Sequence, residues 1–276
     1  MTSFAVPESI AAHARRFYAE GGVPVAPRPA ATVLLLRPDA SDETGFEVYM
    51  IRRAASMTFG GMYAFPGGSV DPGDEEIRLD WTGPDAAGWG DRLGLAPGAA
   101  QAVVCAAARE VFEEAGVLLA GPDRDAVVGD VSGDEWERAR QALVNRRTGF
   151  ADLLRDCRLT LRSDLLLPWS RWVTPEFEPR RFDTYFFVAL LPLGQRPRDV
   201  SGEADHTTWI RPADALARAA AGEMAMLPPT LIMLTELDAC PDLASLPEMA
   251  AGRNPAAPVV PRIAEAEDGT PRFVLD

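Results

Sequence analysis

Residues 106–120 read AAAREVFEEAGVLLA, setting Glu110, Glu113 and Glu114 close together with no lysine to answer them. From about residue 99 to 115, Val104, Ala107, Ala108, Val111 and Ala115 recur at helical spacing, which predicts a helix with a stripe of small apolar side chains. Positions three and four apart on a helix are surface neighbours, and like charges there cost roughly 0.2–0.5 kcal/mol per pair. A chain that keeps such a cluster either leaves it solvated or uses it to hold a cation. All 27 basic residues are arginine.

Upstream, FPGGSVDPGD at 65–74 places Gly67, Gly68 and Gly73 just after a strand-like stretch. A glycine-rich loop lets the backbone approach a metal-bound phosphate, and the acidic helix that follows can offer oxygen ligands. Magnesium prefers oxygen and typically binds through a few carboxylates plus substrate phosphates. Together these pieces resemble the signature of the Nudix hydrolase superfamily, Gx5Ex7REUxEExGU with U aliphatic. Arg109, Glu110, Val111, Glu113, Glu114, Gly116 and Val117 match its second half at every specified position. Gly68 matches the first half, and Asp74 stands where the family has glutamate. The 34 positions 75–108 then occupy the place of 7, an expansion carried by EEIRLDWTGPDAAGWGDRLGLAPGAAQ.

An insertion inside this motif is similar to the branch of the superfamily that cleaves CoA and acyl-CoA. MIRRAASMTFGGMYAFPGG at 50–68 resembles that branch's CoA-associated motif at Arg52, Gly61 and Phe65, with Met57 where an arginine is expected. RRFDTYFF at 180–187 and MLPPTLIMLTEL at 226–237 are similar to the same branch. The resemblance implies an α/β fold, a Nudix α/β/α sandwich with a mixed sheet, an expanded motif loop and a C-terminal helical extension. It implies Mg2+ or Mn2+ held by Glu110, Glu113 and Glu114, with Asp74 as an outer ligand. Arg109 would orient a glutamate or the loop. Glu113 is the first choice of general base and Glu203 the second. Gly67 and Gly68 would approach the substrate diphosphate. Arg52 and Arg53 fit phosphate contact or surface solubility equally, and Asp183 fits either an ion pair with Arg181 or the substrate site.

The implied reaction is metal-assisted hydrolysis of CoA or acyl-CoA to 3′,5′-ADP and (acyl-)phosphopantetheine. One rival keeps the chemistry and changes the substrate to ADP-ribose, NADH or another nucleoside diphosphate derivative. Another is a ligand-binding module of the same fold without turnover.

Composition narrows the remaining classes. A net charge of −14 lacks the basic footprint that nucleic acid or an anionic membrane surface requires. Cys105, Cys157 and Cys240 lie far apart with no CxxC spacing, and His13 and His206 are too few for histidine-based zinc chemistry. The N-terminal stretch lacks a signal-peptide pattern and no apolar run reaches a membrane span, so a cytoplasmic protein is expected.

The whole of residues 1–276 reads as one domain with its core at about 28–215. An N-terminal helix is expected at 9–19 and a helical extension at about 212–250. ATVLLLRPD and GFEVYMIRR form a hairpin-like pair, and strands follow in DLLLPWSRWVTPE, RRFDTYFFVALLP and ADHTTWIRP. Helices are expected at 134–144 and 150–156, a loop at 76–98, and an edge strand in PRFVLD. Trp81 and Trp89 fit packing within the insertion or a lid. MAMLPPTLIML reads as helix packing, with a fatty-acyl groove or a homodimer contact as alternatives.

Overall fold

The computed structural model describes residues 3–42, 44–55, 60–75, 79–198, 204–266 and 269–275. Its centre is a seven-stranded mixed sheet. Strands β2 (Arg28–Pro38), β3 (Phe46–Arg53), β9 (Leu167–Val173), β10 (Phe182–Leu190) and β11 (Ala204–Ile210) run in the order β11-β3-β2-β10-β9. β10 lies parallel to β2, and the other neighbours in this order are antiparallel. Two short strands, β4 (Tyr63–Ala64) and β5 (Gly67–Ser69), pair with β3 and β2.

The sheet is covered on both faces, which is why its strands read as continuous apolar runs. Along β2, Val33 and Leu35 enter one core while Leu34 and Leu36 enter the other. The first core holds α3 (Ala86–Leu93), α4 (Pro97–Ala115), α5 (Asp134–Val144) and α6 (Phe150–Asp156). On the other face lie α7 (Pro212–Ala220), α8 (Pro228–Asp238) and α9 (Leu246–Ala251). The result is the expected α/β/α sandwich. Pro228 and Pro229 start α8 rather than simply breaking a helix, because proline's fixed φ suits the first turn.

Three expectations change. The helix α4 is buried without a break from Ala102 to Phe112, so it carries apolar surface on every side instead of one stripe. It ends at Gly116, whose left-handed φ of 66° closes the last turn.

The region expected as a loop, 76–98, follows the short α2 (Pro72–Glu75) and contains β6 (Trp81–Thr82) and α3. The Asp85 side chain caps α3 by accepting from Gly88 N–H (2.8 Å), and Gly94 ends it with φ 66°. Gly88 and Gly90 inside the helix hid its period. Trp89 is fully buried against the Phe187 ring, with its indole N–H on Ser163 Oγ (3.2 Å), so it packs and is no lid. Half-buried Trp81 packs on the same core; β6 joins a small sheet with β7 (Ala120–Gly121) and β8 (Thr160–Arg162).

The last strand, β13 (Pro271–Val274), is the middle of a three-stranded sheet. It lies between β1 (Ser3–Ala5) and β12 (Arg262–Glu265). After β1 the chain enters α1 (Glu8–Ala19), where His13 Nε2 donates to the Phe177 carbonyl (2.9 Å).

Candidate active site

β5 lays the glycine loop across the last turns of α4. Gly67 N–H donates to Glu114 Oε2 at 2.7 Å. A Cβ on Gly68 would sit 2.4 Å from Glu110 Oε1, and one on Gly67 would sit 2.4 Å from the Ala31 carbonyl. Both positions therefore need glycine for close approach.

Arg109 gathers the acidic groups. Its guanidinium donates to Asp74 (2.9 Å), Glu110 Oε1 (2.8 Å), Glu113 Oε2 (3.2 Å) and the Ser69 carbonyl (2.9 Å). Arg140, also buried, donates to the Glu113 carbonyl at 2.6 Å and anchors the end of the helix. Burial pushes the Glu110 carboxyl up to about 7, against the pull of Arg109, and like-charged Glu113 and Asp74 add to the rise. Burial also raises Glu113, with Arg109 opposing and Asp71 and Asp74 adding to the rise. For Arg109 burial works against its charge, but Asp74, Glu110 and Glu113 together outweigh it and raise its pKa.

These groups open into a cavity of about 630 Å3. Gly67, Gly68, Arg53, Arg109, Glu110, Glu113 and Glu114 line it, together with Asp71 and Arg146. Three expected site residues stand elsewhere. Asp74 is buried behind Arg109 and accepts from Asp71 N–H (2.9 Å), so it supports the arginine from outside the cavity lining. Arg52 pairs with Asp205 (2.6 Å), outside the lining. Asp183 makes a two-pronged pair with Arg171 (2.8 and 2.7 Å), not with Arg181, whose donors reach the Thr174 and Val25 carbonyls. On β10 the cavity is met by Phe182, Thr184 and Phe186, and the alternation of a strand turns Asp183 to the opposite face. Glu203 and Met57 lie outside the described residues.

Sequence reasoning missed Arg146, Asp71 and Glu178 in the lining. Arg146 sits just past α5 with a left-handed φ of 55° and reaches Asp71 Oδ1 at 3.2 Å. A non-glycine residue in that region is uncommon, and no sequence pattern announces it.

The donor set suits a hard divalent cation. Five carboxylates in the lining face three guanidinium groups, an excess that would repel an anionic diphosphate unless cations intervened. All the carboxylate donors are oxygens, and the glycine backbone leaves room beside them. Among the described residues no three His, Cys, Asp or Glu side chains form a ready-made cage. The carboxylates are drawn instead onto Arg109 and the Gly67 amide. Magnesium commonly completes its shell with substrate phosphate and water, so a full protein cage is not required.

Known proteins resemble this chain in sequence and in fold. Residues 90–237 match the family model described as the NUDT19 Nudix domain, a span that includes the glutamate helix. The chain is 27% identical over 216 residues to putative nudix hydrolase 7 of Caenorhabditis elegans, covering 78% of this chain and 62% of that protein. It is 24% identical over 232 residues to acyl-coenzyme A diphosphatase NUDT19 of Xenopus laevis, covering 71% of this chain and 61% of that one. The chain thus spans about three fifths of the length of these two relatives. The crystal structure of a NUDIX hydrolase from Alicyclobacillus acidocaldarius superposes with a TM-score of 0.65 at 30% identity, covering 85% of this chain and 99% of that one. With its family model matched over more than half its length, the chain belongs to the Nudix hydrolase family, in the group of the NUDT19 Nudix domain.

Proposed function

We propose that the protein hydrolyses the diphosphate bond of CoA or acyl-CoA, releasing 3′,5′-ADP and (acyl-)phosphopantetheine. The observation that carries the chemistry is the set of Glu110, Glu113 and Glu114, fixed by Arg109 and the glycine backbone at one end of the cavity. The CoA substrate is supported by the likeness to acyl-coenzyme A diphosphatase NUDT19 and by Arg52, Gly61 and Phe65 of the CoA-like stretch.

Nudix hydrolases generally use divalent metal ions, and Glu110, Glu113 and Glu114 would hold Mg2+ or Mn2+ here. Such an ion, when bound, neutralises charge on the diphosphate and lowers the pKa of a bound water. Gly67 and Gly68 present backbone to the diphosphate without side-chain obstruction. Arg109 keeps Glu110 and Glu113 oriented. Glu113 accepts the proton of the attacking water as its oxygen bonds to phosphorus. The bridging P–O bond breaks, and its electron pair leaves with the departing phosphate oxygen. Arg53 and Arg146 add positive charge along the wall for the phosphates.

The test is product analysis with Mg2+ or Mn2+ on CoA, octanoyl-CoA, ADP-ribose and NADH in parallel, with Glu114→Gln as control. Release of 3′,5′-ADP from the CoA compounds, falling at least a hundredfold in the variant, is expected. Turnover of ADP-ribose or NADH instead would keep the chemistry and replace the substrate. No turnover, and no Mn2+-dependent rise in Tm, would leave a binding module.

A further inference from the structure

Diphosphate chemistry accounts for one end of the cavity only. Beyond the glutamates the wall is mostly apolar, with Phe65, Trp172, Phe182 and Phe186 on the sheet side and Leu227 and Pro228 at the start of α8, interrupted by Thr174, Thr184, Thr230 and Glu178. Phe182, Leu227 and Pro228 are only half-buried, so apolar surface faces the open space.

The termini of the described chain close the far side. Ile10 of α1 and Phe273 of β13 line the cavity there, and both are half-buried. In the terminal sheet Phe273 stands directly opposite Phe4 of β1 and Ile263 of β12. Facing residues in antiparallel strands share a side, so the three form one apolar row. This sheet shares no strand with the central one. It is moored at Val259, whose N–H donates to the Arg171 carbonyl (2.8 Å) and whose carbonyl accepts from Val173 N–H (2.9 Å). The second mooring is α1, through His13 and the Phe177 carbonyl.

We infer that the apolar end receives the acyl chain of the substrate, and that the terminal sheet is the wall that sets the chain length accepted. Ile10 and Phe273 are then specificity-determining residues. The inference rests on the CoA reading for the diphosphate end. The second sugar of ADP-ribose or the ring-bearing half of NADH would turn hydroxyls toward aromatic rings as well as toward Thr174, Thr184, Thr230 and Glu178, so part of its hydrogen bonding would be lost. A hydrocarbon chain loses no hydrogen bonds there. Each methylene taken out of water strengthens binding by up to about fourfold, and the gain stops where the chain meets the wall.

The experiment uses the full chain and CoA thioesters from acetyl to palmitoyl. Binding is measured by calorimetry in EDTA, and 3′,5′-ADP release is measured with Mg2+. Affinity should climb by about twofold to fourfold per methylene over part of the series and then level off or reverse. Ile10→Trp should move that turning point to shorter chains, and Phe273→Ala should move it to longer ones by two carbons or more. Each variant is judged on its acyl-CoA to CoA ratio, with Tm followed alongside. Ile10→Phe and Phe273→Leu replace any variant that loses its cooperative melt.

A flat series in the unsubstituted protein, or a turning point that neither folded pair of variants moves, overturns the inference. Hydrolysis of CoA with a flat series removes the acyl wall and leaves the reaction intact. Chain-length-dependent binding without hydrolysis removes the reaction and leaves the wall.

Discussion

The insertion and the chain termini have exchanged the places their sequence positions suggest. Residues 75–108 interrupt the very motif that carries the glutamates, yet among the described residues none of them lines the cavity. Ile10, Pro261 and Phe273, far from that motif in sequence, do line it. The insertion behaves as an added layer of core, with α3 packed on α4 and Trp89 sealed beneath it. The termini leave aromatic and aliphatic surface turned toward open space. Nearness to a motif in sequence thus says little about nearness to its substrate. What decides is which apolar face of the sandwich is still uncovered when a segment arrives.

The contrast breaks if the insertion governs substrate choice. Trp89→Ala should cost about 3–5 kcal/mol, read by chemical denaturation, because a fully buried indole leaves a cavity and an orphaned Ser163 contact. Its acyl preference should stay that of the unsubstituted protein. A changed preference would make the insertion part of the binding site.

Adjacent glycines sharpen the same distinction at smaller scale. In Gly67→Ala the new methyl meets the Ala31 carbonyl and the Thr32 backbone, which cannot swing away, so a loss of about 1–3 kcal/mol is expected. In Gly68→Ala the nearest atoms are those of the Glu110 carboxylate, the far end of a side chain that can shift at the cost of its bond from Arg109. That variant should melt within a few degrees of the original while 3′,5′-ADP release drops tenfold or more. Equal melting losses in the two would show that the Glu110 carboxylate is as immovable as backbone.

The smallest expected effect on stability is at the termini. Phe273→Ala should cost only about 1 kcal/mol, because the ring is half-buried, while shifting chain-length preference. A loss as large as that of Trp89→Ala would make the terminal sheet a structural element like the insertion.

The legible parts of this molecule are those where one short rule decides. β2 and β10 announce themselves by unbroken apolar runs, and α5 and α6 stand where their period puts them. The glutamates and the paired glycines are likewise visible, because their spacing along one helix and one loop is a local matter. α3 was hidden by its two glycines, which dilute the period although the helix is capped at both ends. Of the terminal sheet only β13 was legible, as the strand in PRFVLD; β1 and β12 were hidden because strands of three or four residues are not decided locally. The pairing of β1 depends on a partner at the opposite end of the chain. The same holds for Asp183, whose choice of Arg171 over the nearer Arg181 depends on the alignment of β9 with β10.

That distant pairing has a consequence for how the chain reaches its final form. Ser3 aligns with Val274, one of the longest loop closures this chain can make. During synthesis β1 leaves the ribosome long before β13, while β2, β3 and α4 can already begin to collapse. The outer wall of the cavity is therefore the last piece to be set. In refolding it should lag behind the core as a slow, separable phase, seen as an added slow fluorescence change in Phe273→Trp beside the signal of the six native tryptophans in the unsubstituted protein.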